Sequence, residues 1–427
     1  MLDTQLIRSE PETVRRALRN RNEDPRLVDV FLELDTEWRK SSAELQLLRT
    51  KQKQLSQERN VKAAIKNRSV IKKAEHKLLQ LEQKRRDTLW LIPNIPLSDV
   101  PIGSDERSNV TVRTWGKLPE FTFPVQDHVA LGEKLGLIDT ARAARVVGTR
   151  FSYLTGDAVM LEFALIQLAF DVLTSTKFLK DIAASAASQQ STKAFLPVIP
   201  PVMIKPDIYR RMGRLDTKTE EERYFLPKDD IYLVGSAEHT LGALHLDEII
   251  PEEKLPLRYV GFSTCFRREA GSYGKDTTGI LRVHQFDKIE IESFTKPEMS
   301  LAEQDFIVAI QEYLMQRLNL PYRVVLVSTG DMGGPDARQI DIETWLPAQN
   351  RYRETHSADF IGDYQARRLG TKIRRTDGRT EFAYMNDATV FAIGRTLIAI
   401  LENYQCSDGT VNVPDALQHY LGKTKIR

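Results

Sequence analysis

The stretch CFRREAGSYGKDTTGILRVHQFDKIE, residues 265–290, places two arginines, glutamates and several glycines between two runs rich in apolar residues. The runs YVGFSTCF and LRVHQFDKIEIESF have the β-branched and aromatic content of strands, and the segment RREAGSYGKDTTGI between them is typical of a long loop. The stretch therefore predicts a β-hairpin with charged side chains on its inside and at its tip. Guanidinium groups held on a rigid strand suit a phosphate or a carboxylate, so we expect an anion site here.

The chain around this hairpin contains further short strand-like runs. They do not alternate with helices in a regular βαβ rhythm, so we predict an α+β domain with a mainly antiparallel sheet flanked by helices. The motifs GxGxxG and GxxxxGK[ST] do not occur, so any nucleotide is bound without these glycine loops. The runs are RFSYLTGDAVM, FLPVIPPVMI, DIYLVGSAEHT, YRVVLVST, QIDIETWLP and EFAYMND.

The N-terminal part of the chain has a different pattern. Apolar residues at heptad spacing from Phe31 to Leu55, and again from Ile71 to Ile92, predict two long helices, since neither Pro nor Gly interrupts them. The polar segment ERNVKAAIKNRS, residues 58–69, predicts the turn between them. Residues 40–86 carry fourteen Lys and Arg against four Asp and Glu. A basic antiparallel coiled-coil hairpin suits a polyanion, although a solvated dimerisation arm has the same pattern.

Composition sets the broad class of the protein. With 427 residues, of which 41% are hydrophobic and 28% charged, the chain is long enough for a large core and two domains. No run of 18 apolar residues occurs and the opening MLDTQLIRSEPE lacks the order of a secretory signal, so we expect a cytoplasmic protein without a membrane segment. The cysteines, Cys265 and Cys406, form no CxxC, which argues against a disulfide framework or a structural zinc site.

Two further segments offer groups for a triphosphate and its metal. DIETW followed by YRETHSADF supplies Glu343, Glu354 and Ser357, oxygen donors of the kind that Mg²⁺ accepts. Arg395 opens the predicted helix RTLIAILENYQ. A cation is disfavoured at a helix N-terminus, so we expect an anion there.

These segments together resemble the class II aminoacyl-tRNA synthetases in their seryl version. CFRREAGSYGKDTTGILRVHQFDKIE resembles motif 2, TVFAIGRTLIAILENYQ resembles motif 3 and FLPVIPPVMI resembles motif 1, and the similarity covers nearly the whole chain. The resemblance implies a homodimer that joins L-serine to tRNA(Ser), using ATP and Mg²⁺, through a seryl-adenylate. It also implies a tRNA-binding domain with a coiled-coil arm (1–110), which grips the long variable arm of the tRNA, and a class II catalytic domain (111–427). Whether tRNA(Sec) is also a substrate stays open.

The resemblance assigns roles to individual residues. Arg267, Glu269 and Arg395 are implied to be catalytic. The implied ATP-binding residues are Arg267, Arg268, Glu269, Val283, Phe286, Glu354, Thr355, His356, Ser357 and Arg395, with Glu354 and Ser357 as metal ligands. The implied serine-binding residues are Ser236, Ala237, Glu238, Arg267, Glu290, Asp387 and Thr389, with Glu290 as the partner of the serine hydroxyl. The implied tRNA-binding residues are Lys51, Lys53, Lys62, Lys66, Lys72, Lys73 and Lys77.

Three positions depart from the family pattern and bear on amino-acid selectivity. Ser236 stands where threonine is usual, Asp387 where asparagine is usual, and Asp359 adds a carboxylate near the metal ligands. The Ala/Ser-rich segment at residues 181–194 has no role that the sequence explains. Two other functions remain open at this point, an amino acid:carrier-protein ligase and a non-catalytic RNA-binding relative. The first would lack the basic hairpin, and the second would have lost residues such as Arg267 or Arg395.

Overall fold

The computed structural model describes residues 1–186, 188, 190–216, 219–270 and 278–427. Residues 271–277 of the predicted hairpin loop and residues 187 and 189 of the Ala/Ser-rich segment lie outside the described residues. The chain divides into two compact units, Met1–Ile95 and Pro96–Arg427.

The first unit is helical, and its two long helices confirm the predicted antiparallel hairpin. Asn60 caps the second long helix by accepting a hydrogen bond from the backbone amide of Ala63. Because of this cap the connection spans only residues 58–60, so the turn predicted over 58–69 was too long. The helices are α1 (Thr4–Ser9), α2 (Pro11–Asn20), α3 (Arg26–Gln57) and α4 (Val61–Leu91).

A buried aspartate ties the base of this hairpin together. The carboxylate of Asp35 in α3 accepts hydrogen bonds from three arginines. Both Nε and Nη2 of Arg8 donate at 2.8 Å, Nε of Arg85 donates at 2.7 Å and Nε of Arg39 donates at 3.1 Å. The guanidinium of Arg85 also lies over the rings of Phe31 and Trp38. One carboxylate therefore joins α1, α3 and α4, and a buried charge with several partners favours a single register of the two long helices.

The second unit is built on an eight-stranded sheet with the order β1-β11-β12-β13-β16-β10-β9-β4. Within this eight-stranded sheet, every pair of neighbouring strands is antiparallel except β4 and β9, which are parallel. The main strands are β1 (Val110–Trp115), β4 (Leu196–Val198), β9 (Leu257–Phe266), β10 (Gln285–Thr295), β11 (Tyr322–Leu326), β12 (Arg338–Leu346), β13 (Arg351–Gly362) and β16 (Tyr384–Ala392). The short strands are β2 (Ile138–Asp139), β3 (Tyr153–Leu154), β5 (Met203–Ile204), β6 (Phe225–Leu226), β7 (Ile231–Leu233), β8 (Ile249–Pro251), β14 (Lys372–Arg374), β15 (Thr380–Phe382), β17 (Val411–Asn412) and β18 (Lys425–Ile426).

Helices α7, α11 and α13 cover one face of this sheet and form the main hydrophobic core with it. The run DAVM, predicted as part of a strand, begins α7, because Gly156 supplies the break before that helix. The helices of this unit are α5 (His128–Lys134), α6 (Thr140–Val146), α7 (Asp157–Leu173), α8 (Thr176–Ser185), α9 (Pro206–Arg211), α10 (Glu238–Leu241), α11 (Ser300–Arg317), α12 (Tyr364–Leu369), α13 (Ile393–Asn403) and α14 (Asp415–Leu421).

Along the central strands, apolar and polar side chains alternate, so that they lie on opposite faces of the sheet. On β10, Ile289 and Ile291 lie in the core, and Glu290 and Glu292 project to the opposite face because successive side chains of a strand point to opposite sides. The same alternation puts Asp387 and Thr389 of β16, and Ser357 and Asp359 of β13, on that opposite face. The sheet therefore has an apolar face that packs against helices and a polar face that is free to form a site.

Within the described residues, no single helix combines the length and apolar composition of a membrane span. Helices α7 and α8 pass that test only when taken together, and they meet at an angle of 77°.

A buried ion pair joins the sheet to its covering helix, and we predict that it contributes strongly to stability. Arg258 of β9 pairs with Glu303 of α11 through two contacts of 2.6 Å, and both side chains are fully buried. Arg258→Met leaves Glu303 buried without its partner, which should lower the free energy of unfolding by about 3–5 kcal/mol. Urea unfolding of the full chain measures this loss. Lys117→Met, which breaks the exposed pair of Lys117 with Glu120, is the control and should leave the midpoint unchanged.

Candidate active site

A cavity of about 290 Å³ opens on the polar face of the sheet. It lies at β10, β13 and β16, beside the end of β9 and the start of α13. Most residues assigned from the resemblance reach it, namely Glu238, Arg267, Glu269, Val283, Phe286, Glu354, Thr355, Ser357, Thr389 and Arg395. It is also lined by Arg214, Ile280, Leu281, Arg282, Lys288, Asp331, Gly333, Asp336, Gln339, Asp359, Ala392 and Gly394.

The hairpin that opened the sequence analysis supplies one wall of the cavity. Arg267 donates from Nε to the carbonyl oxygen of Gly235 at 3.1 Å, and its guanidinium lies 5.3 Å from the centre of the Phe286 ring. Glu269 accepts from Nη1 of Arg282 at 2.8 Å and has a φ of 50°. A left-handed backbone is uncommon for glutamate and costs free energy, which the surrounding contacts offset. The hairpin thus presents an arginine, an aromatic face and a carboxylate to one ligand-sized space.

Arg395 and Glu354 form the wall on the other side. Arg395 lies in the first turn of α13 and donates from Nη1 to the backbone carbonyl of Glu354 at 2.8 Å, while Nη1 lies 3.2 Å from Oε2 of the same residue. Partial loss of water would raise the pKa of Glu354, whose side chain is half exposed, but Arg395, with Arg267 and Lys288, more than offsets this and lowers the pKa below its ordinary value. Glu354 therefore carries a negative charge at neutral pH.

A β-bulge brings Glu354 and Ser357 to the same face. Residues three apart on a regular strand point to opposite faces, but the register between β12 and β13 shifts between Glu343–Glu354 and Ile342–His356, which leaves Thr355 as an extra residue. Both side chains consequently line the cavity. A carboxylate and a hydroxyl are hard oxygen donors, so the pair fits Mg²⁺, an ion that takes one or two protein ligands and completes its shell with water and phosphate oxygens. Within the described ranges no cluster of three or more His, Cys, Asp or Glu forms a metal site made by the protein alone.

Glu290 is the centre of a buried hydrogen-bonded group. Its Oε1 accepts from the hydroxyl of Ser236 at 3.1 Å and from the hydroxyl of Thr389 at 3.1 Å, and it forms an ion pair with Lys288. Its Oε2 is buried and has no hydrogen-bond partner among the residues that the structure describes. Burial raises the pKa of Glu290, although Lys288 opposes this shift. Glu290 does not itself line the cavity, but its partner Thr389 does. A buried acceptor without a partner is costly, so this oxygen is available for a donor that reaches it from the cavity.

Several assigned residues lie outside the cavity lining. His356 is fully buried, and its ring packs against Phe391 of the core at 5.7 Å. Burial lowers the pKa of His356 to about 3, so this side chain is neutral at physiological pH. Arg268 is exposed, and its backbone amide donates to the carbonyl of Glu222. Ala237 is buried at the start of α10, where its carbonyl accepts from the amide of Leu241.

Comparisons with known proteins agree with this fold. Residues 1–96 match the seryl-tRNA synthetase N-terminal domain, and residues 221–404 match the class II tRNA synthetase core domain (G, H, P, S and T). A serine–tRNA ligase of Acidothermus cellulolyticus is 42% identical, over 100% of this chain and 99% of that protein. The crystal structure of seryl-tRNA synthetase from Pyrococcus horikoshii complexed with ATP superimposes with a TM-score of 0.88 at 37% identity, covering 100% of this chain and 99% of that one.

The chain belongs to the seryl-tRNA synthetase family.

A second solved member of the family is similar over the same extent. The cytoplasmic serine–tRNA ligase of Naegleria fowleri, in complex with AMP, has a TM-score of 0.84 and 33% identity, and the match covers 100% of this chain and 99% of that one. The α+β class, the helical N-terminal arm and the mainly antiparallel sheet predicted from the sequence are confirmed. The class II core domain and the similarity to serine–tRNA ligases identify the chain as an ATP-dependent ligase.

Sequence reasoning missed Arg214, which is a central side chain of the site in this family member. It lies in the loop after α9, and its guanidinium is 13% exposed. Its Nε lies 3.1 Å from Oε1 of Glu238, and its Nη2 lies 3.0 Å from Oδ2 of Asp387, 3.4 Å from Oδ1 of Asp336 and 3.7 Å from Oδ2 of Asp359. The sequence did contain a signal for this residue. Asp359 and Asp387 depart from the family pattern as additional acidic residues, and two buried carboxylates require a cation nearby.

The register of the sheet explains why these carboxylates meet. Glu292 of β10 pairs across the sheet with Asp387 of β16, which in turn pairs with Asp359 of β13. Burial, with the negative charge of Glu238, raises the pKa of Asp387 to about 8. Burial raises the pKa of Glu292 as well, and both oxygens of that side chain lack a hydrogen-bond partner.

We predict that Asp387 makes stability depend on pH. Because its pKa in the folded state is about 8, against an ordinary value of 3.8, the folded chain holds a proton that the unfolded chain has released between these pH values. Folding is therefore penalised increasingly as pH rises through this range. Asp387→Asn removes the penalty, so its stabilising effect on the thermal midpoint should be larger at pH 8.5 than at pH 5.5.

Asp377→Asn is the control for this measurement, because the backbone and side chain of Arg379 lower the pKa of Asp377. Its effect should be the same at both pH values. A stabilisation by Asp387→Asn that does not grow with pH would contradict the assignment.

Proposed function

We propose that this chain activates L-serine with ATP to form seryl-adenylate and transfers the seryl group to the 3′ end of tRNA(Ser). The choice of serine rests on Oε2 of Glu290, which is a buried acceptor without a partner among the described residues. Oε1 of the same carboxylate already accepts hydrogen bonds from Ser236 and Thr389. A serine hydroxyl donates the missing hydrogen bond. Alanine would leave the oxygen unpaired, and sites of this kind reject a substrate that lacks the donor.

The residues of the hairpin and of α13 would bind ATP. Phe286 offers a ring for the adenine in a lining that also contains Arg267 and the apolar side chain of Val283, and Glu269 offers an acceptor for an amino group. Arg267 and Arg395 would neutralise phosphate oxygens, with Arg268 placed at the same hairpin. The carboxylate of serine attacks the α-phosphorus and pyrophosphate leaves, so the protein supplies alignment and charge neutralisation without a side-chain nucleophile.

Glu354 and Ser357 would hold Mg²⁺, which supplies positive charge to the phosphate oxygens of ATP when bound. The bulge at Thr355 and the lowered pKa of Glu354 support this role, because they give a charged carboxylate and a hydroxyl on one face. Glu238 would receive the ammonium group of serine, beside Ala237, Arg267 and Asp387.

The experiment that tests this function is amino-acid-dependent exchange of labelled pyrophosphate into ATP without tRNA. Serine should support exchange, while alanine, glycine, threonine and cysteine should support far less. Glu290→Gln replaces one carboxylate oxygen with an amide of similar size and should raise the KM for serine more than the KM for ATP. Exchange with another amino acid alone, or none with serine, would overturn the proposed substrate.

We further propose that the N-terminal part (1–110), which contains the compact unit Met1–Ile95, binds the long variable arm of tRNA(Ser), and that residues 111–427 carry the catalytic chemistry. The assigned lysines of the arm support this role, because all seven are exposed and remain solvated until a phosphate backbone approaches. Among them Lys77 lies 3.1 Å from Glu37, so its charge is partly compensated.

Neutralising Lys72, Lys73 and Lys77 together should weaken tRNA binding and flatten its dependence on salt, because fewer counterions are released. Pyrophosphate exchange should stay unchanged. The measurement is tRNA affinity at a series of salt concentrations. The control neutralises Lys117, Lys177 and Lys180, which are exposed in the other unit, and should leave affinity and salt slope as in the wild type. Equal loss of tRNA binding and of exchange would contradict the division of labour.

We also propose a homodimer located in the cytoplasm. Large apolar side chains support the dimer, since Leu196, Ile199 and Met203 of the motif 1 segment are 58%, 86% and 46% exposed at and beside β4, an edge strand of the sheet. Cys265 and Cys406 are both free thiols, as expected in a reducing compartment.

A further inference from the structure

The contacts of Arg214 join the amino-acid pocket to the acidic row on the sheet. Its Nε reaches Oε1 of Glu238, while Nη2 reaches Asp387, Asp336 and Asp359. The other oxygen of Glu238, Oε2, accepts from the hydroxyl of Ser236 at 3.3 Å. One oxygen of Glu238 thus lies in ion-pair contact with Arg214, without hydrogen-bond geometry at Nε. The other oxygen lies beside the Ser236 hydroxyl, whose single hydrogen is shared between Glu238 and Glu290.

We propose that Arg214 is a positioning residue for the amino-acid pocket, which fixes the Glu238 carboxylate in orientation and in its ionised form for the ammonium group of the substrate. The inference rests on the proposed function, because it assumes that an amino acid occupies this pocket. Arg214 itself need not touch the substrate.

The electrostatic surroundings explain why Glu238 needs this support. Burial alone would raise the pKa of Glu238, yet the pKa lies below its ordinary range, and Arg214 makes the largest contribution among the opposing charges. Without the guanidinium, a buried carboxylate beside other carboxylates would take up a proton, and a neutral acid attracts an ammonium group weakly. The charged and titratable groups around Glu238 are Arg214, His239, Arg267, Lys288, Glu290, Glu292 and Asp387.

The arginine fork suits this task better than a lysine would. A guanidinium directs several N–H donors in one plane and can bridge Glu238 and Asp387 at once, whereas an ammonium group is a compact charge on a flexible stem. Lysine at this position would retain the charge and lose the bridge.

The test uses Arg214→Gln and Arg214→Lys in the full chain, with pyrophosphate exchange measured at pH 6.5 and at pH 8.5. Arg214→Gln should raise the KM for serine by at least about 30-fold, because one partner of a buried charged pair has been removed. The KM for ATP should change little. The loss should be smaller at pH 8.5 than at pH 6.5, since the uncompensated Glu238 ionises again as pH rises. Arg214→Lys should restore the pH profile of the wild type but only part of the affinity for serine.

Arg211→Gln is the matched control, because Arg211 precedes Arg214 by three residues and its pair with Asp247 lies outside the cavity. It should leave the KM for serine unchanged. An unchanged KM for serine in Arg214→Gln, an equal rise for serine and ATP, or a loss that is the same at both pH values would overturn the inference. If Arg214→Gln does not fold, Arg214→Lys decides, because a normal KM for serine in that variant would overturn it too.

Failure of the inference is distinguishable from failure of the proposed function. Every α-amino acid carries the ammonium group, so the comparison is made with whichever amino acid supports exchange by the wild-type chain. A wild type that prefers another amino acid overturns serine as the substrate, and the variants then still report on Arg214.

Discussion

A row of carboxylates on the buried face of a sheet is the constraint on which the rest of this site depends. Glu292, Asp387 and Asp359 lie side by side on three neighbouring strands because the register of those strands puts them there. Carboxylates cannot remain charged in a buried place without cations or protons. Arg214 and the raised pKa of Asp387 are the two ways in which the structure meets that requirement.

The charges of the cavity are divided between its two ends. Arg267, Arg282 and Arg395 make one part basic, while the other part holds the ionised carboxylate of Glu238 beside Arg214 and the carboxyl groups of Asp336 and Asp359. Such a division suits a ligand that is polyanionic at one end and cationic at the other, as an amino acid joined to a nucleotide is. The orientation of the ligand then follows from electrostatics before any individual hydrogen bond forms.

Much of the architecture could be predicted from residue patterns, because a helix or a strand can be recognised from the spacing and type of apolar residues within its own short stretch of sequence. The hairpin of α3 and α4 follows from heptad periodicity, and the strands β9, β10 and β12 follow from their β-branched and aromatic content. The Arg214 contacts could not be predicted in the same way. Arg214 precedes Asp387 by 173 positions, and only the folded sheet brings the two together. The short connection after α3 was missed for a local reason, since a single capping asparagine decides where α4 begins.

The bulge at Thr355 also bears on how this protein tolerates change. In a regular strand the removal of one residue reverses the direction of every later side chain, and β13 already contains one extra residue between Glu354 and Ser357. Deleting Thr355 would remove the bulge and leave Glu354 and Ser357 two positions apart, still on one side of a regular strand. A deletion at a regularly paired position of β13 would instead turn the side chains beyond it to the opposite face. Among natural variants of this strand, changes of length away from position 355 should therefore be absent.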